Sequence, residues 1–595
     1  MEWMGRAAAR SAVIMAVAAL SACGGGGGGD KAKDPAASTE SGINSQAAAI
    51  SDQEAHRFLA QASFGATPSL LASVRSVGYE SWIDSQLGTT TAISHVATVD
   101  TSAVKRGVDK PHYQDIHYTW WTHAVTDPAQ LRQRVAYALS QIFVVSTMDS
   151  TLADISRLVA SYMDMLTQRS TGTYRELLEA VALHPAMGVY LSTLQNRKED
   201  PLSGRIPDEN FAREVMQLFS IGLYELNDDG TLKLRNGLPV ETYTSDDVRG
   251  LAKVFTGWSW HRPAGNTSEW WRCFQASPGC YDVAVMTSMP MTAYAEMHST
   301  SEKRFLGITI PAQSSADPAL SLRLALDRLA SHPNTAPFIS KQLIQRLVTS
   351  NPTPAYVARV TAVFRSTNGN LSAVVKAILL DAEARTPSTS GVSMPTYGKV
   401  REPVLRLTQL LRALPHTSAM YTSMQSAQSS APFYFAADTD DPAYSLGQTP
   451  MRSPSVFNFY RPGYKPPRSQ MGTLQLVAPE MQTTNETSVL GYANFVASIL
   501  ERGWGEDNPQ TGKPDIQFNL SSLQALDDGS DSARPQRLVD EVARRLLGAP
   551  LSSSLNERVV TAVGAMPRTT DQQKRRRVVA AITLIAVSPS YIVQQ

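Results

Sequence analysis

The chain has 595 residues, with 54 Lys+Arg against 53 Asp+Glu and an apolar share of 43 %. That share is ordinary for a globular protein, and the length is ample for a large core but too long for one ordinary small domain. A chain so near neutrality has no global electrostatic reason to bind nucleic acid.

The N-terminus reads as an export signal. Arg6 and Arg10 precede the apolar run Ser11 to Leu20, followed by Leu20-Ser21-Ala22-Cys23 and six glycines. A basic region, an apolar stretch of about ten residues and a small-residue cleavage site describe a secretory signal. The run is too short for a membrane span, which needs roughly 20 apolar residues. Leu20 to Cys23 resembles the lipobox of bacterial lipoproteins, which implies lipid on Cys23. Two or more acyl chains anchor stably, at about 0.8 kcal/mol per buried methylene. Gly24 stands where an Asp usually means inner-membrane retention, so the resemblance implies the outer membrane, on its periplasmic or cell-surface face. The expected division is a signal at 1–22, a tether at 23–50 and a single large body at 51–595. A break into two subdomains, if there is one, falls near 258–316. Losing residues 1–22 removes Arg6, Arg10 and Glu2 and leaves 52 charges of each sign.

Residues 24–50 are Gly, Ser, Ala, Asp and Lys with almost no large apolar side chain. Such a segment cannot offset its ordering entropy. It reads as a leash that holds the body on the order of 30 Å from the membrane. Behind it remain Cys273 and Cys280, with Pro278-Gly279 between them to make the turn. In an oxidising compartment such a pair is expected to close as a disulfide.

Helical signals dominate the body. Thr67-Pro68, Asp127-Pro128, Asp317-Pro318 and Thr353-Pro354 each place a capping side chain before a proline suited to the first helical position. Leu131, Val135, Leu139, Ile142 and Phe143 follow at helical spacing. The patterns predict helices near 51–64, 69–87, 113–146, 151–168, 173–191, 208–223, 245–257, 318–331, 335–349, 354–366, 371–383, 398–414, 476–501, 535–547, 553–565 and 571–587. Strand signal is sparse. The clearest lies near 231–244, where Leu232 and Leu234 alternate up to Asn236-Gly237, a dipeptide suited to a type I′ hairpin turn. Asp228-Asp229-Gly230 is half a calcium loop without the downstream ligands, so a turn is favoured. The stretches 258–316 and 417–475 read as long irregular excursions. The fold class expected is therefore mainly α: a large multi-helix body with such excursions and a small β-hairpin.

Several segments together resemble the domain-of-unknown-function 1800 family of exported bacterial proteins. They are His56 to Pro68, His184-Pro-Ala-Met187, Pro207 to Gly222, Phe255-Thr-Gly-Trp258, His332-Pro333 and Ser588 to Gln594. The Asn210 to Gly222 block is the most specific. The resemblance implies export and a mainly helical fold, but no reaction and no cofactor. It also suggests a partner, an exported protein of the domain-of-unknown-function 1501 family that is often encoded alongside. Many members carry histidines where this chain reads Ala138 to Phe143, and His-Asp where it reads His298-Ser299. No metal site is expected here.

Two constellations remain as candidate sites. Asn210, Arg213, Glu214 and Gln217 fall at i, i+3, i+4 and i+7, one polar stripe of a helix. In a cleft, Glu214 would act as acid or base with Arg213 setting its charge, joined by His298. Facing water or locked in the core, the same stripe would be structural. Trp258, Trp260, Trp270 and Trp271 lie within fourteen residues of chain. They make either a glycan or partner surface or a small aromatic core under a loop. The basic run Lys574 to Arg577 reads as a solvated helix face. The expectation is an outer-membrane lipoprotein that binds a partner protein or glycan, with an enzyme of envelope polymers as the alternative.

Overall fold

Thr67, Asp317 and Thr353 each start a helix by local chemistry. Their side-chain oxygens accept the N–H of Leu70 at 3.2 Å, Leu320 at 2.9 Å and Tyr356 at 3.2 Å, and a proline follows each cap. The helices Pro68–Val77, Pro318–Ser331 and Pro354–Ser366 result. The structure, a computed structural model, describes residues 49–262, 270–277, 282–387, 396–509 and 511–595. Cys23 and nearly all of the leash therefore lie outside the described residues, as does Cys280 of the expected disulfide.

The fold is mainly α. The described residues form 28 α-helices and antiparallel sheets of two or three short strands. None of these helices is long and apolar enough to cross a membrane. Ile50–Gln595 packs as one unit. The excursion at 258–316 contributes Trp258, Trp260, Met286, Met291, Phe305 and Ile310 to the same main core as the surrounding helices.

Several expected helices are interrupted. The 113–146 pattern divides into Tyr113–Thr126 and Gln130–Ser140, because Asp127-Pro128 ends one helix instead of opening the next. Asp127 instead accepts the Ala129 N–H at 2.8 Å. The 69–87 pattern breaks at Gly78, whose φ of 82° suits glycine. The 173–191 pattern breaks at His184-Pro185, where the missing N–H forbids continuation.

The expected hairpin is present. Leu234–Arg235 pairs with Leu238–Pro239, and Asn236 and Gly237 both have positive φ, 53° and 80°, as a type I′ turn needs. Asp228-Asp229-Gly230 is a turn, with Asp229 accepting the Thr231 N–H at 2.9 Å. A three-stranded sheet escaped the sequence patterns: Pro514–Phe518 lies between His416–Ser418 and Trp504–Asp507. The basic run is not uniformly solvated either. Arg577 is 1 % exposed and forks onto both carboxylate oxygens of Asp527.

The C-terminus returns to the first helix of the body. Val593–Gln594 pairs with Lys399–Val400, and Arg57 in the Asp52–Ala62 helix donates to the Gln595 carbonyl at 3.1 Å. At this junction lies a buried charged network. Glu402, fully buried, accepts hydrogen bonds from Tyr137 at 2.7 Å, Gln141 at 2.5 Å and Gln448 at 2.8 Å. Burial works against its charge, yet Lys399, Arg134 and the donated hydrogen bonds hold its carboxyl below the usual range.

Candidate functional site

The Asn210 to Gly222 block is a short helix with a tightly tied exit. Asp208 accepts the Asn210 N–H at 2.8 Å, and the helix runs Asn210–Gln217. It ends as Leu218 and Phe219 both donate to the Glu214 carbonyl, at 2.9 and 3.1 Å. Gly222 follows at φ 72°, where a Cβ would come within 2.6 Å of the Phe338 ring. Asn334 then donates to the Tyr224 carbonyl at 2.9 Å and accepts the Leu226 N–H at 2.6 Å.

The polar stripe is split by depth. Asn210 and Arg213 are exposed and Gln217 is half-buried, while Glu214 is only 8 % exposed. Arg213 turns toward Glu209 at 3.3 Å. Glu214 Oε2 is buried with no hydrogen-bond partner among the described residues. Burial pushes its carboxyl above the usual glutamate range, and Arg213 opposes that only in part. Tyr243, a residue the sequence patterns did not single out, donates to Gln217 Oε1 at 3.0 Å. Burial raises the Tyr243 hydroxyl pKa, Arg213 opposes the rise, and the nearby Glu214 charge adds to it. Chemically this is a carboxyl that holds its proton easily, set beside a phenol and an amide. Four open clefts of the body have volumes of about 850, 660, 540 and 530 Å³, and Glu214 lines none of them.

His298 does not join Glu214. It is fully buried, with Nδ1 2.9 Å from the Thr256 carbonyl and Nε2 3.0 Å from Ser321 Oγ. Burial lowers its pKa to about 4. Both ring nitrogens are thus occupied, and the ring is neutral near pH 7. The adjoining Phe255 to Trp258 segment is shaped by the same packing. Gly257 has φ 78°, and a Cβ there would lie 2.7 Å from the Tyr294 carbonyl oxygen.

The tryptophans divide as well. Trp258 and Trp260 are 6 % and 7 % exposed and belong to the main core. Trp270 packs on a separate small cluster of Cys273, Phe274 and Tyr294. Of the four, only Trp271, 49 % exposed, shows substantial surface to solvent. Apolar exposure lies elsewhere. Leu202 and Ile206, just before the Asn210 block, are 100 % and 73 % exposed. Leu232, Leu234 and Leu238 on the hairpin after it are 47 %, 60 % and 70 % exposed.

The 850 Å³ cleft holds a serine–histidine contact, Ser161 Oγ to His184 Nε2 at 3.3 Å. His184 Nδ1 accepts the Ala186 N–H at 3.2 Å. That places the neutral ring's proton on Nε2, pointing at Ser161, so this histidine cannot take the serine's proton. Among the described residues no group of three His, Cys, Asp or Glu is arranged to hold a metal ion.

The sequence model of a family described as protein of unknown function (DUF1800) matches residues 57–593. Neither a curated protein nor a solved structure matches the chain.

Proposed function

The chain belongs to the DUF1800 family of proteins of unknown function, and from that premise we propose that it is a lipid-anchored component of the cell envelope whose body docks a protein partner. The lipobox at Cys23 would hold it on the outer membrane, and the leash would let the body reach its partner. The observation that carries the docking reading is the pair of apolar arms around the Asn210 block. Leu202 and Ile206 precede it, and Leu232, Leu234 and Leu238 follow it, all well exposed. Contiguous exposed apolar surface marks interaction sites, and Leu234 and Leu238 stand on the two paired strands of one hairpin. The partner we favour is an exported protein of the DUF1501 family. A glycan is less well supported, because Trp258 and Trp260 offer no free ring face. We also propose the Cys273–Cys280 disulfide as a brace for the excursion between the tryptophans.

The test is co-purification. Full-length protein extracted from membranes should retain the DUF1501-family protein of the same cell, and Leu234→Asp/Leu238→Asp should not. Equal retention would refute the docking surface. Cys23→Ser tests the address separately, since it should release a folded body from the membrane fraction.

A second reading keeps one specific support: the buried, readily protonated Glu214 beside Tyr243. It makes the protein an enzyme of an envelope polymer, with a cleft that opens onto Glu214 only when substrate binds. Glu214→Gln would then fail to rescue a deletion strain, whereas the docking reading expects full rescue.

A further inference from the structure

One cleft gathers three guanidinium groups against a single neighbouring carboxylate. It has a volume of about 530 Å³ and is lined by Arg412, Arg544, Arg545 and His416, with Thr67 and Pro68 at its edge. Among the described residues no aspartate or glutamate lines it. Glu541, outside the lining, bridges Arg544 at 2.8 Å and Arg545 at 2.7 Å, so one carboxylate serves two guanidinium groups. Arg412 is aligned by two carbonyls instead of a carboxylate: Nε donates to Gly65 at 2.8 Å and Nη1 to Val125 at 2.6 Å. These neutral acceptors orient the fork but leave its charge unbalanced. The Pro68–Val77 helix begins at the same edge and adds the partial positive charge of its N-terminus. Burial lowers the Arg412 pKa to about 10, the mark of a cation without a counter-ion. His416 is not a further cation: its Nε2 meets the Tyr434 hydroxyl at 3.0 Å and burial lowers its pKa.

We propose that this cleft is an anion site that takes the phosphate group of a ligand, with Arg412 as its fixed fork and Arg544 and Arg545 as its rim. Phosphate suits a planar guanidinium better than a point charge does. The group has two sources, a soluble phosphate compound or a phospholipid headgroup.

Calorimetry on the full-length protein in neutral detergent separates these outcomes. The probes are inorganic phosphate and dihexanoyl phosphatidylglycerol below its micelle concentration. At least one should bind saturably, and binding should weaken with added salt. Arg544→Gln/Arg545→Gln should weaken it by about tenfold or more. Arg412→Gln should weaken it too, but that change also removes a clamp on Gly65 and Val125, so the rim variant carries the test. Binding of phosphate alone assigns the site to a soluble ligand, and binding of the lipid alone assigns it to the membrane surface. Saturable binding of neither probe, or the same affinity in the rim variant, overturns the proposal.

Discussion

Lys399 Nζ and Glu480 Oε1 form an ion pair at 2.9 Å in which the two side chains are 1 % and 2 % exposed. Lys399 also donates to the Gln345 and Arg346 carbonyls, both at 3.0 Å. The pair ties the Lys399–Val400 strand to the Pro479–Thr483 turn, and the two carbonyl bonds tie it to the Thr335–Leu347 helix. Removing one partner strands the other charge in the core. Glu480→Gln should therefore cost about 3–5 kcal/mol in urea unfolding. A single variant as stable as the parent would show that the pair carries no such role.

Glu214 should destabilise the fold when ionised. Its folded pKa lies above the ordinary glutamate value of about 4.5 because of burial. The folded state then binds more protons than the unfolded one, so stability declines as pH rises from 4.5 through the folded pKa. Glu214→Gln removes that penalty. The variant should match the parent near pH 4.5 and exceed it at pH 7, measured as urea midpoints. A variant less stable at pH 7 would mean that the carboxylate is held by favourable contacts.

The histidines act in the opposite direction. Burial lowers His56, His298 and His332 to about 4 and His184 to about 3. Unfolded histidines take up protons near 6.5, which these folded ones do not. Stability is therefore full above about pH 6.5 and falls as pH drops toward 4, by roughly 1.4 kcal/mol per pH unit for each histidine. The midpoint should drop steeply between pH 7 and 5, and His298→Gln should make that slope shallower. An unchanged slope would contradict the neutral, locked state of His298.

Gly257→Ala should be severely destabilising. The position combines φ 78° with an approach of 2.7 Å to the Tyr294 carbonyl oxygen, so a Cβ is both strained and obstructed. Gly237 at the hairpin tip has φ 80° but open space around it. Gly237→Ala should cost only the strain, about 1–2 kcal/mol. Similar losses at the two sites would contradict this packing.

What the sequence made legible was the chemistry that acts over a few residues. Thr353-Pro354 and Asp317-Pro318 announce helices because cap and proline act within one turn. The Asn236-Gly237 hairpin is legible for the same reason. Asp127-Pro128 carries the same letters yet ends a helix, because Asp127 caps Ala129 across the turn and the next helix begins beyond it. The sheet around Ile516 was not legible, since its partners Ser418 and Trp504 come from distant segments and its strands have three to five residues. The candidate site shows the same limit. Arg213 and Glu214 are neighbours on one stripe, and only the packing, with Tyr243 reaching Gln217 from 26 residues away, decides which is buried. Likewise Glu402 gave no local signal, because its partners Tyr137 and Gln448 lie 265 and 46 residues away.

The hairpin is an exposed part of the proposed docking surface. Leu234 and Leu238 are 60 % and 70 % exposed, so replacing them costs the fold little. The decisive measurement is retention of the DUF1501-family protein by immobilised full-length protein, parent against Leu234→Asp/Leu238→Asp, with far-UV circular dichroism confirming an unchanged body. Docking through the hairpin requires retention by the parent and a loss of about tenfold or more in the variant. Equal retention by both, or none by the parent, would contradict it.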